Sequence, residues 1–164
     1  MVDNEESELE ILKKSYKIIQ EKYNLPSFEE LNENFNIEKA AETETDILIR
    51  EVRKYVGDKL FNYMRFIEGL LNPVNASMFT LSIVKSLDAD DRNKLGDIYK
   101  EMMKKEVAFI KIDLEFNEES EANFIKDSWN FWNQIKSDLM GIVNKIDSKW
   151  DEEKIEINNK GYFD

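Results

Sequence analysis

Neither cysteine nor histidine occurs anywhere in this chain. Without cysteine there are no disulfides, no thiolate nucleophile and no sulfur-ligated zinc. Without histidine, imidazole is lost both as general base and as metal ligand. Serine–histidine–aspartate catalysis and histidine-containing zinc or di-iron sites are thereby excluded. Glycine (5 residues) and proline (2 residues) are scarce, and no Gly-rich phosphate loop of the G-x-G-x-x-G or G-x-x-x-x-G-K type is present. The stretch "NPVNASMFTLSIV", Asn72 to Val84, carries no charge but is too short and too polar to span a bilayer. The opening "MVDNEESELE" is acidic, not a basic segment followed by an apolar core, which argues against a signal peptide. A soluble, cytoplasmic protein that touches no membrane is the expectation.

Positive charge is also in short supply, with 35 acidic against 23 basic side chains and a net charge of −12. Such a surface repels phosphate backbones, so nucleic acid is a disfavoured partner. Only four basic residues are arginine (Arg50, Arg53, Arg65 and Arg92), which weakens any reading based on bidentate phosphate contacts.

What is present is helical periodicity. At 164 residues, the chain fits one domain of the usual size, about 100–200 residues. Leu9, Leu12, Tyr16, Ile19 and Tyr23 step 3-4-3-4 and mark a first helix. "NLPS" ends it, and Ser27 with Glu30 forms a capping box for a short second helix carrying Phe28, Leu31 and Phe35. A polar connector, "NIEKAAETETD", follows. The series Ile49, Val52, Val56, Leu60, Tyr63, Ile67 and Leu70 holds one face of a long third helix. Asn75 is placed to cap a short fourth helix, apolar nearly all round and hence expected to be buried. Asp88 suits the N-cap of a fifth helix, with Asp90 and Asp91 in its first turn. A sixth starts near Asn117 and runs to about Ile146. Its seam is Ile125, Ser128, Trp132, Ile135, Leu139, Ile142 and Ile146.

The segment "IKIDLEF", 110–116, alternates apolar and charged residues, as does "KIEI", 154–157. The preferred reading continues the fifth helix through 110–116, with Leu95, Ile98, Met102, Phe109, Ile112 and Phe116 on one face; the alternative is a minor β-pair between the two segments. The expected fold is all-α: an antiparallel up-down bundle of four main helices plus two short ones over residues 1–150. A charged, flexible tail is expected over 151–164, where Ile155, Ile157, Tyr162 and Phe163, with Trp150 just before them, offer apolar points for docking a partner.

Candidate chemistry is thin. Glu106 and Asp113, seven apart, lie on the apolar side of the fifth helix and are the candidate ligands for a metal ion. Arg50, Arg53 and Lys54 share one helical face and form a candidate docking patch. The bland reading of that patch is that the acidic segment 26–46 folds back beside it. "DADDRNKLGDIYKE" fails as a calcium loop, because Asn93 and Tyr99 stand where glycine and a bidentate glutamate are needed. In "SWNFWNQI", Trp132 lies in the seam, while Trp129 and Phe131 flank it on opposite sides and are candidates to meet another helix or a partner.

These residues lean away from catalysis and imply no cofactor. The expected function is a non-catalytic interaction or scaffold protein that binds another protein or itself. Two alternatives are kept: a divalent-metal-dependent hydrolase of a phosphate-containing small molecule, and a nucleic-acid-associated accessory using the Arg50 patch.

Overall fold

A computed structural model describes residues 7–43, 45–74 and 76–159. The chain is all-α. In order run α1 (Glu8–Tyr23), α2 (Phe28–Phe35), a 3-10 helix (Ile37–Glu42), α3 (Leu48–Leu71), α4 (Met78–Lys85), α5 (Ala89–Leu114) and α6 (Glu118–Asn159). No helix among the described residues is long and apolar enough to cross a membrane.

The first elements are delimited by local chemistry. Ser7 and Ser27 each accept from the backbone N–H three residues on, and Glu10 and Glu30 reach back to the cap N–H, giving two full capping boxes. Asn24 and Asn36 end these helices in the left-handed region, at φ 52° and 54°, a conformation asparagine tolerates better than most residues. Tyr16 is buried, and its hydroxyl donates to the Pro26 carbonyl at 2.7 Å. Burial, reinforced by Glu30 and Glu29, pushes that phenol well above its usual range.

The segment read from sequence as a polar connector is in part the 3-10 helix, because Ile37 and Ala40, three apart, are both buried. Ser77 caps α4 through Thr80 N–H at 3.1 Å; the expected cap, Asn75, lies outside the described residues. The expectation that α4 is buried all round is corrected: among its described side chains only Ile83 and Val84 are buried, and Met78 is largely exposed. Asp88 does cap α5, accepting from Asp91 N–H at 2.8 Å.

The minor β-pair is also corrected: 110–114 closes α5, 154–157 lies within the helical backbone of α6, and no strand occurs among the described residues. On a helix, residues two apart point about 200° apart. Ile112 is therefore half-buried while Ile110 and Leu114 face solvent, and the alternation marks two sides of one helix. Helix α6 continues well past Ile146. Residues 160–164 and the side chains of Trp150, Ile155 and Ile157, where the docking motif was expected, lie outside what is described.

The chain forms two compact units, dividing within α3, α5 and α6: residues 1–62 with 103–132, and 63–102 with 133–164. In the first, Tyr16, Leu31, Phe35, Ile37, Val52, Val56, Leu60 and Ile125 form the centre. Phe109 of α5 meets Phe61 of α3 and Phe124 of α6 edge-on, at 5.2 and 5.6 Å between centroids. Contacts advance up α3 from Arg53 to Phe61 as they descend α5 from Asp113 to Phe109, so these helices run antiparallel here. In the second unit, Ile67, Leu70, Leu87, Leu95, Ile98, Met102, Leu139 and Ile142 are buried. Lys145 there holds the buried Asp91 at 2.7 and 2.9 Å.

Candidate functional site

Four ionisable side chains from three helices converge in the first unit. Helix α3 supplies Arg50 and Arg53, α5 supplies Asp113, and α6 supplies Glu121 in its first turn. Arg53 and Glu121 are completely buried, and Arg53 Nε lies against Glu121 Oε2 as an ion pair. Arg53 Nη2 also donates to Asp113 Oδ1 at 3.0 Å, and Arg50 Nη2 approaches the same oxygen at 3.5 Å. The Arg53 guanidinium stacks over the Phe109 ring at 3.9 Å, and Arg50 lies over Phe116 at 5.6 Å.

The two carboxylates respond in opposite directions. The hydrogen bond from Arg53, with both arginine charges behind it, holds Asp113 below the usual aspartate range. Burial pushes Glu121 up, against the pull of Arg53 and Arg50. Arg53 Nη1 and Glu121 Oε1 are buried with no hydrogen-bond partner among the described residues. A buried pair of this kind is costly to desolvate and repays the cost only when its remaining donors and acceptors are met.

Asp113, a candidate metal ligand, is neutralised by two arginines, while Glu106 is half-buried on the same helix. Among the described residues no three carboxylates come together in metal-binding geometry. Of the candidate docking patch, Arg53 is in the core, Arg50 is turned to Asp113, and Lys54 pairs with Glu51 of its own helix at 2.9 Å. The patch is paired internally, its two arginines by α5 and α6. The acidic segment 26–46, expected to fold back on it, is not the partner of Arg50 or Arg53 among the described residues.

The aromatic trio is divided between two neighbours. Trp132 is buried, and its indole N–H donates to Asn34 Oδ1 at 3.0 Å. Trp129 and Trp132 both contact Phe35 of α2, at 6.3 and 6.1 Å between centroids. On the other flank Lys105 lies over the Phe131 ring at 5.2 Å.

Helix α5 carries a further apolar row that its sequence pattern leaves merged with the buried face. Met103, Val107, Ile110 and Leu114 step 4-3-4 along α5, the heptad spacing of a helix-pairing seam. All four are exposed, from 38% at Met103 to 79% at Leu114. Apolar positions recurring on one helix face ordinarily pack against something, and a contiguous exposed row marks an interaction surface. A depression of about 600 Å³ between the end of α1 and the start of α6 is polar, and its Lys22 and Tyr23 are engaged by Glu118. Compared with protein-family models, curated proteins and solved structures, the chain matches none.

Proposed function

We propose that this protein is a non-catalytic interaction protein, a scaffold or adaptor, whose surface docks a helix of another polypeptide. The observation that carries this reading is the exposed row Met103, Val107, Ile110 and Leu114. Its spacing suits recognition of an amphipathic helix through anchors at i, i+3, i+4 and i+7. Four apolar side chains along about three turns of one helix are the footprint of a single docked helix. The electrostatics favour the same reading over chemistry: Arg50 and Arg53 are engaged by Asp113 and Glu121, and among the described residues no group of three acidic side chains is placed to hold a metal ion. In this reading the protein works in the cytoplasm, a reducing compartment with which a cysteine-free chain is compatible.

Tagged wild type and Val107→Glu/Ile110→Glu, recovered from the native cell after mild crosslinking and compared by mass spectrometry, test this. Proteins recovered with wild type and lost with the variant are the expected result. Identical recoveries with both, or wild type recovered alone and as a monomer, would overturn it.

A further inference from the structure

A second apolar surface lies elsewhere on the same unit. Two adjoining depressions, of about 160 and 280 Å³, follow α1 where it passes the segment leading into α3. They share Ser15, Thr45 and Leu48, so they form one groove. Ile11 and Ile18, at 50% and 68% exposure, stand on its α1 side, with Ile47 and Leu48 opposite. The charged residues lining it are Glu8, Asp46 and Glu118, and no basic side chain is among them. A groove of this composition fits an apolar helix face edged with positive charge.

The chain carries a face with one such edge, its other edge bearing Glu106 and the arginine-paired Asp113. Along the row on α5, Lys104 and Lys111 lie on one edge, seven residues and two turns apart, and both are exposed. From Met103 to Leu114 the row is about 17 Å long at 1.5 Å per residue, and Glu8 to Ile19 along the groove covers the same length. We infer that the groove between α1 and residues 45–49 receives the α5 row of a second copy of this chain. The lysine edge then faces Glu8 and Asp46, and Val107 and Ile110 fill the space beside Ile11, Ile18 and Leu48. This inference rests on the interaction reading above and names the occupant for that row.

Because row and groove are different surfaces, the contact is heterologous. Each added copy leaves one row and one groove open, so assembly continues past the dimer unless the rotation closes a ring. Two variants separate the halves of the contact: Val107→Glu/Ile110→Glu spoils the row, and Ile11→Glu/Ile18→Glu spoils the groove. All four positions are at least half exposed, so each protein is expected to fold, which circular dichroism and urea unfolding verify. Lys104→Glu/Lys111→Glu is a second row variant that leaves every apolar contact in place.

Sedimentation of the full chain over a wide concentration range is the test. Wild type is expected to assemble with concentration, past the dimer unless two reciprocal contacts close it, and each variant alone to stay monomeric. Mixed in equal amounts, the row and groove variants are expected to form a 1:1 dimer and stop there, since only one intact row and one intact groove meet. A wild type that stays monomeric, a row or groove variant that alone still associates as wild type does, or a variant mixture that stays monomeric while wild type assembles overturns the inference. A monomeric wild type whose Val107→Glu/Ile110→Glu variant still loses cellular partners sinks the second copy as occupant but not the interaction reading.

Discussion

The guanidinium of Arg53 on α3 and the carboxylate of Glu121 on α6 face each other with both side chains wholly shielded from water, 68 positions apart in sequence (121 − 53). Their pairing is held open to one side, where Asp113 reaches in from a half-exposed position on α5. Such a pair is a weak stabiliser when intact and a heavy liability when broken.

Removing one member is therefore expected to cost far more than removing both. Arg53→Met leaves Glu121 buried and uncompensated, which typically costs about 3–5 kcal/mol. Arg53→Met with Glu121→Leu replaces the pair by apolar side chains and is expected to recover most of that loss, Asp113 keeping Arg50 as its partner. Urea unfolding of the two singles and the double decides the matter. An additive double variant would show that the buried charges do not interact.

The direction of the Glu121 shift fixes a pH dependence. Its folded-state affinity for a proton is raised, so the folded protein binds more protons than the unfolded chain above the ordinary glutamate value of 4.5. The ionised carboxylate thus subtracts stability as pH rises through that region. Glu121→Gln removes the titration, and the stability lost on making it is expected to be smaller at pH 8 than near pH 4.5. Asp113 runs the other way: its proton affinity is lowered, so its contribution is present above the ordinary aspartate value and is lost as pH falls. A Glu121→Gln penalty that grows with pH would contradict the burial-dominated shift.

Gly57 sits mid-helix in α3, where alanine would ordinarily be better by about 1 kcal/mol. Here a Cβ would come within 2.7 Å of Phe109 Cδ2 and 3.2 Å of Phe61. Phe109 cannot yield easily, held by Phe61, Phe124 and the Arg53 guanidinium. Gly57→Ala is expected to destabilise by about 1–3 kcal/mol, the usual cost of overpacking. An unchanged melting temperature would mean the ring moves freely.

Ser128 occupies the seam of α6, fully buried, and its hydroxyl has no hydrogen-bond partner among the described residues. A buried hydroxyl of that kind costs about 1–3 kcal/mol. Ser128→Ala is expected to raise stability by about 1 kcal/mol, measurable as a higher urea midpoint with unchanged slope. Loss of stability would show that the hydroxyl has a partner after all.

The helices were readable in the sequence because their periodicity is local. Ser27 with Glu30, Asp88, and the seam from Ile125 to Ile142 all sit as their spacing implies. The partner of Arg53 was not read, although a signal existed: Glu121 stands four residues before Ile125, continuing the same seam backwards with a charge in it. An acid in an apolar stripe, on a helix distant in sequence from an arginine in another stripe, becomes a pair only once the two helices pack. The α5 row was missed for a different reason. Met103, Val107, Ile110 and Leu114 lie beside the buried face, and a broad apolar face looks the same from sequence whether one neighbour covers it or two.

The twin capping boxes and left-handed asparagines of α1 and α2 bear on the order of folding. Tyr16 meets Pro26 across ten residues, whereas Arg53 meets Asp113 across sixty. Closing the short loop costs less chain entropy and comes earlier on the time axis. The N-terminal helices, with their start and stop chemistry supplied from within, are thus expected to be formed in the transition state while the ion pair is not. Substitutions at Ser27 or Tyr16 should then slow refolding, and those at Glu121 should chiefly hasten unfolding, a division that the two arms of a chevron plot separate.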